Sequence, residues 1–342
     1  MKNSYSSLKC RLFYRCLINR KITFKKLLNV AQCLWGYFRQ SKQASPYPFI
    51  LSLELGNECN IRCKFCRDEK GVIHDYNPQK PATGIPQGKM SVEMACSIIE
   101  QVKDHILIAV LYTNGEPLLY HDLPKVIKYA TERKVATMIA TNGLLLNDRI
   151  MTEILEAGID LIKIQLSGFT QDIYNIETRV GDVEKLKTNI RRMAKMNKAG
   201  KHNAVILIDY ISYKYNRHQL DMVREFCDEL DLMLSVRQGN PKGGLEKTED
   251  PLYTGDLPLK CSCPWLWQGM QVNWNGDILP CCEAVVWGES QSYEKFRPGD
   301  TRLLNVWNSK PSQAMREVMA KQGRGAIPMC SKCLRTDVHF KW

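Results

Sequence analysis

Three thiols crowd into eight positions in the stretch Glu58-Cys59-Asn60-Ile61-Arg62-Cys63-Lys64-Phe65-Cys66. On a loop, backbone freedom lets Cys59, Cys63 and Cys66 converge on one metal centre. A structural zinc or a fully ligated cluster wants a fourth protein ligand, whereas three thiolates leave one iron open to bind a substrate or cofactor directly. His74 stands near enough in sequence to serve as a fourth ligand, so a zinc reading stays open. A second thiol set comprises Cys263, Cys281, Cys330 and Cys333. Asn275-Gly276, flanked by alternating apolar and polar residues, is a hairpin signal. The hairpin would bring Cys263 and Cys281 to one end of a small β unit, where the Cys330 to Cys333 turn completes a four-thiolate site. A zinc ribbon uses the same donors. Cys261 and Cys282 sit beside the proposed ligands, so the assignment can slip by a residue or two.

The elements that must position these thiols read as an α/β pattern. Phe49 to Leu55 is a short buried strand that runs directly into the first cysteine loop. Helices expected at 91–103, 121–133, 148–157, 182–199 and 216–229 alternate with strands at 107–112, 136–140, 160–166, 204–210 and 232–236. Six strands separated by helices imply a parallel sheet, here a partial (β/α)6 barrel whose chemistry gathers where strands end and loops begin. Ser91, Asn147 and Asp182 are suitable N-caps. The boundaries expected are a basic amphipathic helical N-terminal segment 1–48, the barrel 49–240, a Gly/Pro/Lys/Glu-rich linker 241–260 and a small β-hairpin-plus-helix domain 261–342. Trp265, Trp267, Trp274 and Trp287 are expected to be core. Cys10, Cys16, Cys33, Cys96 and Cys227 occur singly and read as packed or idle.

Fourteen cysteines among 342 residues, with no apolar signal segment ahead of them, argue for reduced thiols and a cytoplasmic protein. The formal charge is +12, but residues 1–53 contain ten Lys or Arg and no Asp or Glu, so Glu54 onward carries only +2. That distribution argues against a nucleic-acid partner, which would be met by cationic surface along the body. Within the basic segment, Phe24, Leu27, Leu28, Ala31, Leu34, Trp35 and Phe38 recur at helical spacing, while Lys25, Lys26, Asn29 and Gln32 face elsewhere. Such a helix either buries its stripe against its own domain, the expected outcome, or gives residues 1–45 a peripheral contact with the inner membrane face.

The first thiol set, with Phe65 just before its last cysteine, resembles the signature of the radical S-adenosylmethionine (SAM) superfamily. The resemblance implies a [4Fe-4S] cluster on Cys59, Cys63 and Cys66 whose open iron chelates SAM. One electron then cleaves SAM to methionine and a 5′-deoxyadenosyl radical that removes a hydrogen atom from substrate. Asn114-Gly115-Glu116-Pro117 is similar to the Gly-Gly-Glu-Pro turn that holds the SAM ammonium, with Asn114 in place of its first glycine. Thr141-Asn142-Gly143 looks like the next family loop. Ser167 and Arg179 stand at the spacing of residues that bind the SAM ribose and carboxylate, and an arginine grips a carboxylate through two parallel hydrogen bonds. The second thiol set resembles the SPASM and shorter twitch domains, and with nine residues after Cys333 one auxiliary [4Fe-4S] cluster is expected.

The reading preferred from sequence is a radical SAM oxidoreductase acting on a small polar molecule of sugar, cyclitol or nucleoside type. It would be served by a reductant such as flavodoxin or ferredoxin. The alternatives are a SPASM-type maturase modifying a ribosomal peptide or protein side chain, and a zinc-binding protein without catalysis. Asp209, at a strand end, and Glu283, beside the auxiliary thiols, are candidate proton acceptors.

Overall fold

The computed structural model describes residues 5–73, 86–239, 245–246, 262–287, 292–331 and 333. His74, Cys261 and almost all of the expected linker lie outside these residues. Two N-terminal helices, α1 (Tyr5–Ile18) and α2 (Phe24–Phe38), precede β1 (Ile50–Leu53). Then follow α3 (Val92–Val102), β2 (Ile108–Val110), α4 (Leu123–Glu132), β3 (Ala136–Thr141), α5 (Asp148–Glu156) and β4 (Leu161–Leu166). The barrel continues through α6 (Gln171–Thr178), α7 (Val183–Ala199), β5 (Val205–Ser212), α8 (Leu220–Glu229) and β6 (Met233–Gln238). Short α9 (Trp265–Gln268) leads into β7 (Gly269–Val272), β8 (Asp277–Leu279) and β9 (Glu294–Lys295), and α10 (Leu303–Trp307), α11 (Lys310–Gln322) and α12 (Pro328–Ser331) close the chain.

The six expected strands pair in parallel as read from the sequence, and the expected caps operate: Ser91 Oγ accepts from Met94 N at 3.1 Å, Asn147 Oδ1 from Ile150 N at 3.0 Å and Asp182 Oδ1 from Lys185 N at 2.9 Å. Helix α6 was not anticipated, and the helical N-terminal segment divides into α1 and α2. The hairpin also holds, with Gly276 at φ +89 donating its N–H to Asn273 O at 2.9 Å. It is not a separate small sheet. β7 pairs in parallel with β1, Ile50 opposite Gly269 and Leu53 opposite Val272, so one nine-stranded sheet runs in the order β6-β5-β4-β3-β2-β1-β7-β8-β9. The indole N–H groups of Trp267 and Trp307 donate to Ser41 O and Ser45 O, each at 2.8 Å, and tie this C-terminal part to the chain entering β1.

Strand alternation divides the apolar residues between two faces. Leu51, Ala109, Ile139, Ile162 and Ile206 pack with the surrounding helices in the main core. Ile50, Ile108, Val110, Met138, Leu161, Leu207 and Met233 form an inner layer at the lower end of the barrel. Higher on that inner face stand Lys163, Gln165, Asp209 and Arg237, so the lumen turns polar toward the cysteine loop. Cys16 of α1 and Cys33 of α2 join the lower inner layer, which means the two N-terminal helices plug the barrel's lower end.

The docked face of α2 is the opposite of the expected one. Lys26, Asn29, Cys33 and Gly36 are buried, while Phe24, Trp35 and Phe38 are 82%, 64% and 74% exposed. The physical reason lies in the strand entrances, whose backbone carbonyls need donors. Lys26 Nζ donates to Lys134 O, Asn29 Nδ2 to Pro48 O and His105 O, and Arg15 to Ile159 O and His202 O. Asp160, fully buried, receives Arg15 Nε at 3.1 Å and Lys21 Nζ at 2.6 Å. Apolar side chains on that face would leave these groups unsatisfied, at roughly 1–3 kcal/mol each.

Candidate active site

The cysteine loop leaves the top of β1 and is held by backbone contacts. Cys66 N and Arg67 N both bond to Cys63 O, at 3.0 and 2.8 Å, which turns the loop once and aims its thiols together. Arg67 is buried and spans three carbonyls: Nη1 donates to Gly71 O at 2.8 Å, and Nη2 to Asn57 O at 2.6 Å and Asn114 O at 2.8 Å. Arg179, at φ +57 after α6, donates from Nη1 to Arg62 O and Arg67 O at 3.2 and 2.9 Å. The residue expected to grip a carboxylate thus clamps the loop. Phe65 packs with Ile211, Tyr213 and Ile176, joining the loop to β5 and α6.

The turn after β2 fits against this loop backbone to backbone. A Cβ on Gly115 would lie 2.3 Å from Gly56 O and 2.9 Å from Glu58 O, and Glu116 N donates to Glu58 O at 2.7 Å. Pro117 opens a short helical turn, and Glu116 caps it, accepting from Leu118 N at 3.1 Å. The same buried carboxylate accepts from Thr141 Oγ1 at 2.6 Å and Asn142 N at 2.8 Å, so it brackets the β2 and β3 loops. Burial raises its pKa to about 7, against the pull of those donors. Asn142 Nδ2 reaches Asn60 Oδ1 at 2.8 Å and lies 4.0 Å from Cys59 Sγ. Asn114, standing where the family turn has glycine, gives its Nδ2 to the buried carboxyl of Glu54 at 3.3 Å. Burial raises Glu54 to about 7 as well.

Ser167, buried at the end of β4, hydrogen-bonds the carboxyl of Glu177, whose pKa burial also raises to about 7. Glu177 Oε2 has no hydrogen-bond partner among the described residues, and the carboxylate lies within electrostatic reach of Cys63. Arg67, Glu177 and Glu54 are the site residues that sequence reasoning missed. Asp209 was considered as a base, but Lys163 Nζ at 2.9 Å and Arg237 Nε at 2.8 Å flank it. Burial pushes its pKa up, yet the two cations outweigh that and hold it below the ordinary value, so it stays ionised and is a poor proton acceptor.

Burial, with smaller contributions from Glu177 and the neighbouring thiols, lifts Cys63 well above the ordinary thiol value, and burial lifts Cys59 too. Burial first raises Cys263 and Cys330 to about 12 and Cys281 well above the ordinary thiol value; Cys282 and then Cys330 add to the rise of Cys281, Cys330 and Cys333 to that of Cys263, and Cys333 to that of Cys330. The thiols thus form two groups, one at each end of β1, and within each group they feel one another's charge. Cys263 and Cys281 pack against the lower inner layer of the barrel and Cys59 to Cys66 crown its top. Among the described residues no three His, Cys, Asp or Glu side chains gather tightly enough to share one metal ion. Thiolates that each bind a different iron of a cluster surround it rather than meet at one atom. The donors, thiols in electrostatic reach of one another within each group, have the chemistry of iron-sulfur ligands, and the orphaned oxygen of Glu177, within electrostatic reach of Cys63, fits a bound molecule with hydrogen-bond donors.

Comparison with known proteins supports the same reading. A profile of the Radical SAM superfamily matches residues 53–226, and one of SPASM, an iron-sulfur cluster-binding domain, matches residues 261–334. The PqqA peptide cyclase of Granulibacter bethesdensis is 27% identical over 331 residues, covering 86% of this chain and 81% of that protein. The probable GTP 3',8-cyclase of Methanocaldococcus jannaschii is 22% identical over 187 residues, 54% of this chain and 57% of that one. Among solved structures, Streptococcus suis SuiB bound to S-adenosylmethionine aligns over 85% of this chain and 72% of its own, with TM-score 0.63 and 17% identity. BtrN in complex with AdoMet and 2-DOIA aligns over 85% and 94%, with TM-score 0.53 and 16% identity. At such identities the solved structures establish the fold alone. The chain belongs to the radical SAM superfamily and carries a C-terminal SPASM domain, membership that implies an enzyme with a SAM-binding [4Fe-4S] cluster and an auxiliary cluster.

Proposed function

We propose that this enzyme carries out radical chemistry on a peptide or protein side chain. Cys59, Cys63 and Cys66 would hold the SAM-binding cluster, and Cys263, Cys281, Cys330 and Cys333 the auxiliary one. When bound, the first cluster and SAM supply a 5′-deoxyadenosyl radical that takes a hydrogen atom from substrate, and the second offers a place for the electron left behind. The chain's own residues do the positioning. Arg67, Arg179 and Glu116 fix the cysteine loop against the β2 and β3 turns, Ser167 holds the carboxyl of Glu177 within electrostatic reach of Cys63, and Lys163, Asp209 and Arg237 line the polar lumen above the auxiliary thiols.

The observation that carries the peptide reading is the likeness to a protein named a peptide cyclase, which extends over 86% of this chain and 81% of that protein. The alignment of SuiB bound to precursor peptide SuiA, at TM-score 0.62 over 85% of this chain, supports it. This reverses the preference drawn from sequence. The small-polar-molecule reading keeps one specific support, the alignment with BtrN over 85% of this chain. Either substrate calls for an external one-electron donor such as flavodoxin or ferredoxin.

The test is anaerobic reconstitution, then SAM and dithionite with candidate short peptides encoded beside the gene and, separately, with sugars and aminocyclitols. About eight irons per chain are expected, falling to about four when Cys59, Cys63 and Cys66 are replaced by Ala. A peptide two mass units lighter or cross-linked, formed only by the parent enzyme, would support the proposal. Turnover of an aminocyclitol with no peptide change would overturn it.

A further inference from the structure

The face of α1 and α2 that points away from the barrel is apolar and cationic. Phe13 and Leu17 of α1 are 54% and 53% exposed, and on α2 Phe24, Leu28, Trp35 and Phe38 are 82%, 48%, 64% and 74% exposed. Large aromatic and aliphatic side chains gathered on one face of a soluble domain mark a binding surface rather than chance exposure. Arg20 and Arg39 are exposed among them, as are Arg11 and Lys25, which lie 3.9 Å from Asp231 and 3.4 Å from Asp104, in a stretch of 53 residues with no carboxylate of its own. No described helix is long and apolar enough to cross a membrane. We propose that this two-helix face seats the enzyme on an anionic lipid bilayer, its apolar side chains entering the acyl boundary and its cations meeting the headgroups.

The helices are held for this task by groups that do not touch lipid. Arg15 and Lys21 pair with buried Asp160, and Lys26 and Asn29 bond to carbonyls at the strand entrances, so the polar side of α2 is spent on the barrel and the apolar side is left outward. The seat covers the lower end of the barrel. The cysteine loop sits at the upper end, one strand length of about 20 Å away, so the active-site mouth faces water and substrate enters from the aqueous side. Membrane binding and SAM cleavage are therefore separable.

Removing residues 1–45 would strand Asp160 and open the lower core, so the decisive variant is a surface one: Phe24→Ser, Leu28→Ser, Trp35→Ser and Phe38→Ser together in the reconstituted full-length enzyme. Sedimentation is measured with vesicles of phosphatidylglycerol mixed with phosphatidylcholine, and with phosphatidylcholine alone. The parent should partition onto the anionic vesicles at least about tenfold better than onto the neutral ones, and the variant should lose that binding by about tenfold or more while it keeps its Tm and its rate of SAM cleavage. A parent that stays in the supernatant, or a variant that binds as well as the parent, overturns the proposal. So does a concentration-dependent dimer that the four substitutions dissolve without any vesicle binding, which would make a second copy the occupant of this face.

Discussion

Replacing Gly115 by Ala isolates what the backbone-to-backbone contact under the thiols does. The added Cβ would sit 2.3 Å from Gly56 O, 2.8 Å from Asn57 Cα and 2.9 Å from Glu58 O, and all three are main-chain atoms that no rotamer change can clear. Ordinary contact begins at 3.4 Å, so the loop carrying Cys59 must withdraw by about 1 Å. Withdrawal also stretches the bond from Glu116 N to Glu58 O, now 2.7 Å. Overpacking costs about 1–3 kcal/mol and a lost backbone bond about 1 kcal/mol, which a domain of this size survives with a Tm a few degrees lower. Misplacing a reacting centre by 1 Å costs about 100-fold in rate. The assay is the initial rate of 5′-deoxyadenosine release under excess SAM and dithionite, normalised to iron per chain. Gly299→Ala is the control, because Gly299 has φ +88 with nothing within 4 Å of a built Cβ, so that change strains the backbone without crowding anything. Gly299→Ala should cost about 1 kcal/mol and leave the rate alone. A Gly115→Ala enzyme with full iron and a rate within about threefold of the parent would refute the reasoning.

Three further outcomes follow from the same contacts. Arg67→Lys keeps the charge but cannot span Asn57 O, Asn114 O and Gly71 O, so iron at the first site should fall by half or more while the auxiliary iron stays, as read by iron counts in the parent and in a Cys281→Ala background. Glu54 has its folded pKa raised to about 7 from 4.5, so the folded state holds the proton longer than the unfolded chain does; stability is full below pH 4.5, falls as pH rises toward 7 and is level above that. Glu54→Gln removes that titration, and its Tm advantage over the parent should grow across this window by the equivalent of about 3 kcal/mol; a flat difference would contradict the assignment. Arg15→Met leaves the carbonyls of Ile159 and His202 without their donor and Asp160 with Lys21 alone, which should cost about 3 kcal/mol in denaturant melts with no loss of SAM cleavage by the surviving folded protein.

What could be read without coordinates was what local spacing fixes. Three thiols within eight positions need little beyond a loop to converge, and the caps at Ser91, Asn147 and Asp182 act on residues three positions away. Strand and helix periods place the six parallel strands for the same reason. Contacts between distant parts stayed hidden. Nothing in Gly269 to Val272 announces that it will lie beside β1, and Glu177, two residues before the Arg179 that attracted notice, reads as an ordinary helical carboxylate until the fold brings it within electrostatic reach of Cys63. Arg67 likewise looks like a surface cation after a cysteine, because its three carbonyl partners come from Asn57, Gly71 and Asn114. Asn114 departs from the family turn in a way that becomes intelligible only when Glu54 is seen beneath it.

The helix α2 shows most clearly why period alone misleads. Its stripe of Phe24, Leu28, Trp35 and Phe38 has the spacing of a core-facing surface, and hydrophobic burial would normally decide the matter. Here the surface offered to it is the lower mouth of a parallel barrel, a ring of strand entrances whose carbonyls at Pro48, His105 and Lys134 want donors. An aliphatic side chain laid on that ring leaves each carbonyl dry and unpaired, whereas Lys26 and Asn29 satisfy them and Cys33 fills the apolar centre. Two faces of one helix were thus competing for the barrel, and the hydrogen-bond demand of the strand ends outweighed the transfer energy of the stripe. The apolar residues then remain on the outside together with exposed Arg20 and Arg39, while Asp231 and Asp104 pair with Arg11 and Lys25, a combination that a bilayer surface can take up and water alone does not explain.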